Sequence, residues 1–286
     1  MDANQEQVIA SIDGSVGSLA VCEAAAWVAS RLERSLLLLH TIERRPQHGA
    51  DDWSGTIGLG AQSELLERMA QLDQERGKLA LQYGKTLLGE AESRVKAQGI
   101  EDVQSLLRHG DFVEALVELE HQARLMVVGK VGTDHAGEFT ALGSHIESLI
   151  RQVHTSILIT GAQFSPPKSF MLAYDGRDTA ERSLDRIIKG GLLRGLPCHL
   201  VMVGQDHGHE DKLEAANQRL LQEGYEVIPH LVEGSVTEAL LDYQQVQDVG
   251  LMIMGAFSHS KVRHLFLGSN TIRMIQSSQK PLIVLR

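Results

Sequence analysis

Gly129, Gly132, Gly143 and Ser144 follow the apolar run LMVV with the spacing G-x2-G-x10-G-S. Glycines at these points permit tight turns and close backbone approach. Gly143-Ser144-His145 opens a segment of helical pattern. The free N–H groups and dipole of a helix start favour an anion. Successive backbone N–H groups can form a nest around phosphate oxygens, and Ser144 adds a hydroxyl donor. A second copy follows the run LMIM, with Gly255, Gly268 and Ser269. Two carboxylates complete the set: Asp13 and Asp175 each end an apolar run and precede a glycine. At a strand end, such a carboxylate can accept a hydrogen bond from a ribose hydroxyl or an adenine amino group. Helix capping or turn formation is the plainer role for both. Neither G-x-x-x-x-G-K-[ST] nor G-x-G-x-x-G after the first strand is present.

The elements that must position these residues come in two copies. VIASIDGSVGSLAVCEAAAWVASRL starts at Val8, and FMLAYDGRDTAERSLDRIIKGGLL at Phe170. Each is an apolar run, then Asp-Gly, then a helical pattern. Second strands follow at 36–42 and 199–203, then a third strand and a helix. A fourth strand ends at Gly129 or Gly255, and last strands read SILIT (156–160) and PLIVLR (281–286). Short continuous apolar runs suit strands buried on both faces of a parallel sheet, and their alternation with helices gives βαβ units. The prolines of AQFSPPK (162–168) mark the junction, so two α/β domains are expected, at 1–162 and 168–286. The last strand of each half lacks a following helix. Pairing or packing of these two strands would cover exposed edges and make an internal pseudo-dimer.

The first half carries an insertion, about residues 44–98. It comprises a Gly-rich loop around Trp53 and a helical stretch from about 62 to 98. That stretch contains Gly77, Gly84 and Gly89, each costing roughly 1 kcal/mol in a helix interior, so a long or broken helix is expected. It either packs on the body, serves in assembly, or stands solvated.

Composition excludes several classes. With 27 Lys/Arg against 37 Asp/Glu, the net charge of −10 argues against nucleic-acid or anionic-membrane partners. No apolar run approaches a membrane span and no signal peptide is evident, so a cytoplasmic protein is expected. Cys22 and Cys198 read as reduced core thiols. The run DHGHEDK (206–212) reads as a helix cap in solvent ahead of a metal site, and no HExxH or GxSxG appears. No catalytic residues and no metal ligands are assigned.

The residues I-D-G at 12–14, Y-D-G at 174–176 and the strand-four glycine motif resemble a tandem universal stress protein of bacteria. The resemblance covers essentially the whole chain. It implies two flavodoxin-like (adenine nucleotide alpha hydrolase-like) domains, each a five-stranded parallel sheet flanked by helices. It also implies dimerisation through the last strand, and ATP or another adenine nucleotide, with or without Mg²⁺, in some members. Carried over by position, the base or ribose contacts are Asp13 and Thr41 in the first half and Asp175 and Val203 in the second. The phosphate cradles are Gly129, Gly132, Gly143 and Ser144, then Gly255, Gly268 and Ser269. Both copies depart from the family's G-x2-G-x9-G-[ST]: the first by one extra loop residue, the second by Ser258 in place of the middle glycine. Lys261, Arg263 and His264 in that second loop offer compensating charge. The leading expectation is a stress-response protein that binds an adenine nucleotide in one or both halves and signals to a protein partner, with at most slow ATP hydrolysis and with homodimerisation open. The rival is a nucleotide-free scaffold that acts through a partner or small metabolite. A weaker third is an enzyme for a small acidic or phosphorylated substrate.

Overall fold

The computed structural model describes residues 7–43, 59–130, 144–256 and 269–286. The first half runs β1 (Gln7–Ser11), α1 (Ser18–Leu32), β2 (Leu36–Ile42), α2 (Leu59–Ala97), β3 (Val103–His109), α3 (Phe112–Leu119), β4 (Ala123–Gly129), α4 (Ser144–Gln152) and β5 (Ile157–Thr160). The second repeats it: β6 (Phe170–Ala173), α5 (Asp178–Gly190), β7 (Cys198–Val203), α6 (His207–Gln222), β8 (Val227–Val232), α7 (Val236–Val246), β9 (Leu251–Gly255), α8 (Ser269–Ser277) and β10 (Leu282–Leu285).

All ten strands form one sheet, in the order β3-β2-β1-β4-β5-β10-β9-β6-β7-β8. Every pairing inside a half is parallel, as the continuous apolar runs require. The exception is the seam, where β5 and β10 pair antiparallel with Leu158 opposite Ile283. The expected pairing of the last strands is therefore direct, and the strands of the two halves run in opposite senses. Ile157, Leu158 and Val284 are fully buried, where either half alone would expose an edge. The true edges, β3 and β8, are half-exposed, and β8 contains Pro229, which an edge strand tolerates.

Two apolar layers cover the sheet. One face packs α1, the C-terminal part of α2, α5 and α6; the other packs α3, α4, α7 and α8. Among the cations that bond across the halves, Lys130 and Arg286 act at helix ends. Lys130, just past β4, donates to the carbonyls of Gln276 and Ser278 at the end of α8. Arg286, just past β10, donates to the Val153 and Arg151 carbonyls at the end of α4, at 2.8 and 3.2 Å. Both place positive charge where helix carbonyls are unsatisfied. The linker between the halves lays Phe164 on Trp27 of α1, with ring centroids 5.8 Å apart.

Helix α2 is one unbroken helix of 39 residues, the long form of the two expected. Its glycines have different reasons. A Cβ at Gly84 would lie 2.7 Å from Leu107 and 2.9 Å from buried His40, so Gly84 lets the helix approach β2 and β3. At Gly77 and Gly89 a Cβ would meet nothing within 4 Å. Leu88, Ala91 and Val95 pack on the body, whereas Met69, Leu72 and Leu79 are exposed. The helix is thus docked at its C-terminal end and solvated further back.

Among the described residues no helix is long and apolar enough to cross a membrane. Both cysteines are free and buried, and burial pushes Cys22 up to about 11 and Cys198 to about 12.

Candidate functional site

In each half the strand order reverses between the first and fourth strands. Ligands in open parallel sheets bind outside the carboxyl ends of strands at such a reversal. Asp13 follows β1 and Gly129 ends the adjacent β4; Asp175 follows β6 and Gly255 ends the adjacent β9. Because the halves run in opposite senses, these two places lie at opposite ends of the sheet.

In the second half, Asp175, Val203 and Gly255 line one cleft of about 120 Å³. Its apolar walls include Val201, Val236, Leu240 and Met254, from β7, α7 and β9. Asn270 and Thr271, in the first turn of α8, close it on the side where helix N–H groups are free. Thr271 is itself occupied, donating to the Ala256 carbonyl at 3.3 Å. The Asp175 carboxylate accepts from the Arg177 backbone N–H at 3.1 Å and stands 3.7 Å from the Arg177 guanidinium. The Tyr174 hydroxyl turns away to donate to Glu181. Burial first, then the Glu181 carboxylate, pushes that phenol well above its ordinary value.

The first half is arranged differently. Asp13 accepts from the Ser15 backbone N–H at 2.9 Å and from the Ser18 hydroxyl at 3.0 Å, while Ser18 accepts from the Gly14 N–H at 2.9 Å. This ring closes the turn ahead of α1, the turn-forming role open to Asp13 from sequence; the helix itself starts after Gly17 with no side-chain cap. Thr41 lies near the carboxyl end of β2, beside Arg108 of β3 in register.

Two neighbours were missed from sequence because they come from remote helices. The Tyr83 hydroxyl of α2 rests against Gly14, 1.8 Å from where a Cβ would stand. In the second half, the stem of Lys212 of α6 rests against Gly176 in the same way, at 2.5 Å. Both glycines have positive φ, +81° and +66°, as the turn after each aspartate requires. His40 was also missed; it bonds the Ile12 carbonyl at 2.8 Å and packs edge-on to Tyr83.

Ser144 and Ser269 are the first residues of α4 and α8. Gly132, Gly143, Gly268, Ser258, Lys261, Arg263, His264 and the Trp53 loop lie outside the described residues. In DHGHEDK, Asp206 caps α6 by accepting from the His209 N–H at 3.0 Å, and His207 pairs with Glu210 at 3.0 Å. Among the described residues no three His, Cys, Asp or Glu side chains gather as a metal site.

Comparison with known proteins bears on the family and the fold. The family model described as "Universal stress protein family" matches residues 6–161 and 200–286. The universal stress protein Slr1230 of Synechocystis is 30% identical over 98% of this chain and 100% of its own. A crystal structure of a universal stress protein from Archaeoglobus fulgidus superposes with a TM-score of 0.72 at 19% identity, covering 99% of this chain and 98% of that one. A functionally unknown protein from Pseudomonas aeruginosa gives 0.62 at 15%, covering 99% and 92%. With a duplicated fold, strand-end aspartates and glycines at two reversals, and these matches, the chain belongs to the universal stress protein family.

Proposed function

We propose that this stress protein binds an adenine nucleotide in its second half and acts by changing contacts with a protein partner. One observation carries the reading: Asp175, Val203 and Gly255, drawn from three strands, line a single cleft beside the start of α8. The cleft is about one base in size, below the roughly 300 Å³ of a whole-ligand pocket. In this reading it takes the adenine between Val203 and Leu240, and Asp175 accepts from the base or ribose. The phosphates extend toward the α8 N-terminus, where helix N–H groups favour anions. Lys212, over the Asp175–Gly176 turn, adds a cation close by.

The first half is proposed as the structural copy, because the Asp13 carboxylate is taken up by both the Ser15 N–H and the Ser18 hydroxyl. Gly129, Gly132, Gly143 and Ser144 then serve the fold or a weaker site. Turnover of ATP is expected to be slow, since among the described residues Asp175 is the one carboxylate lining the second-half cleft. Proposed domains of 1–162 and 168–286 meet at the β5–β10 seam.

The test is calorimetric titration with ATP and AMP, with and without Mg²⁺, on wild type, Asp175→Ala and Val203→Trp. Saturable binding near one per chain, weakened tenfold or more by both variants, supports the reading. Binding unchanged in both variants, or no heat at millimolar nucleotide, overturns it.

A further inference from the structure

A second cleft lies at the seam, and none of the residues assigned above lines it. It has a volume of about 370 Å³ and opens between the ends of α1 and α5. Leu125, Ile253 and Ile283, from β4, β9 and β10, form an apolar floor, so both halves build it. Leu32 and Leu192 wall it, and Arg31 holds them together by donating to the Leu192 carbonyl at 2.6 Å. Its rim carries Arg124, Arg182, Arg186 and Lys189.

Four cations around one cleft are unexpected in a chain of net charge −10. The one carboxylate among the lining residues, Asp185, is ion-paired to Arg219 at 2.6 Å. Arg186 donates to the Ser156 hydroxyl at 3.4 Å, a neutral partner. Partial desolvation, then the charges of Arg124 and Arg182, hold Arg186 below its ordinary value. Gathering like charges where water is partly excluded costs free energy, which an anion recovers.

The internal repeat shows that the cations are not a demand of the fold. With Asp13 matched to Asp175, Arg182, Arg186 and Lys189 match Ala20, Ala24 and Trp27. In α1 those alanines are fully buried and Trp27 is capped by Phe164 of the linker. In α5 the same positions border an open cleft and are basic. A solvated helix face would explain long cationic side chains over water, but not their convergence with Arg124 of the other half above an apolar floor. Arg124 donates to the Gly190 carbonyl at 3.2 Å, which fixes its guanidinium at the rim.

We propose that this seam cleft is a binding site for an amphiphilic anion, a compact apolar body bearing one phosphate or carboxylate. The apolar body lies on the Ile253–Ile283 floor, and the head group meets Arg182 and Arg186, whose forked donors suit either oxyanion. The volume falls in the range of small-molecule sites. Because the floor comes from both halves, an occupant would bridge the seam and stabilise their pairing.

The experiment is calorimetry on the full chain with octyl phosphate, octanoate and octanol, on wild type and on the Arg182→Gln, Arg186→Gln double variant. The urea midpoint of the variant, compared with wild type, checks its fold. One octyl phosphate per chain, bound at least tenfold more tightly than octanol and tenfold more weakly by the variant, is expected. Octanoate separates the head groups: weaker binding than octyl phosphate marks a phosphate site, and tighter binding a carboxylate site. No binding of either anion at about 1 mM, equal binding of octanol, or equal binding by the folded variant would overturn the proposal.

Discussion

The Ser18 hydroxyl donates to the Asp13 carboxylate at 3.0 Å, whereas Ala180 stands at the matching position beside Asp175. Both aspartates accept from the backbone N–H two residues on, and Asp13 takes a serine hydroxyl as well. Asp13 closes a hydrogen-bonded turn at the start of α1; Asp175 lines a cleft. Asp13→Ala removes the turn bond and the Ser18 bond and should lower stability by about 1 kcal/mol, the net worth of such hydrogen bonds. Asp175→Ala should stay within about 0.5 kcal/mol of wild type. Urea unfolding of both variants checks this, and an equal cost would mean that both aspartates serve their turns alike.

The seam should behave as core. Leu158→Ala and Ile283→Ala each remove a buried side chain and should cost about 2–5 kcal/mol. The two residues are direct partners across β5 and β10, so the double variant should cost less or more than the sum by about 0.5 kcal/mol or beyond. Strict additivity in denaturant melts would argue that the strands do not pair.

Three glycines in α2 should respond differently to alanine. Gly77→Ala and Gly89→Ala meet open space and should stabilise by roughly 0.5–1 kcal/mol through helix propensity. Gly84→Ala drives a Cβ against Leu107 and His40 and should lose that gain, falling about 1–2 kcal/mol below Gly77→Ala. Thermal melts of the three variants rank them. Gly84→Ala as stable as Gly77→Ala would mean that α2 does not dock on β2 and β3.

Acidification should weaken the second half through His199. This buried side chain meets the Tyr243 hydroxyl at 3.0 Å, and burial, then the charge of His230, holds it below its ordinary 6.5. The unfolded chain therefore takes up this proton first. Above about 6.5 neither state is charged and there is no penalty; as pH falls below 6.5 stability drops, and the loss is complete below the folded value. His199→Gln should flatten the fall in urea midpoint between pH 7.5 and 5. An unchanged slope would assign it to other groups.

Much of the fold was legible because its signals are local. The apolar runs ending at Ser11, Gly129, Ala173 and Gly255 gave strands, and the Asp-Gly pairs gave the turns after them. The pairing of SILIT with PLIVLR followed from strands that lack a covering helix. What was not legible is tertiary. Nothing in the spacing of α2 says that Tyr83 rests on Gly14, or that Gly84 is a point of close approach. The convergence of Arg124 with Arg186 depends on the antiparallel seam, which brings the ends of α1 and α5 together. The glycine spacing pointed to phosphate chemistry, yet it is the Asp175 cleft, with walls from β7 and α7, that gives the proposed site its shape.

The central claim is nucleotide binding by the second half. Its most direct test is ATP titration of the Val203→Trp variant beside wild type, with Asp13→Ala as the first-half control. Wild type and Asp13→Ala should bind about one nucleotide per chain with similar affinity, and Val203→Trp, its cleft filled, should bind at least tenfold more weakly. Full binding by Val203→Trp together with loss in Asp13→Ala would contradict it and move the site to the first half.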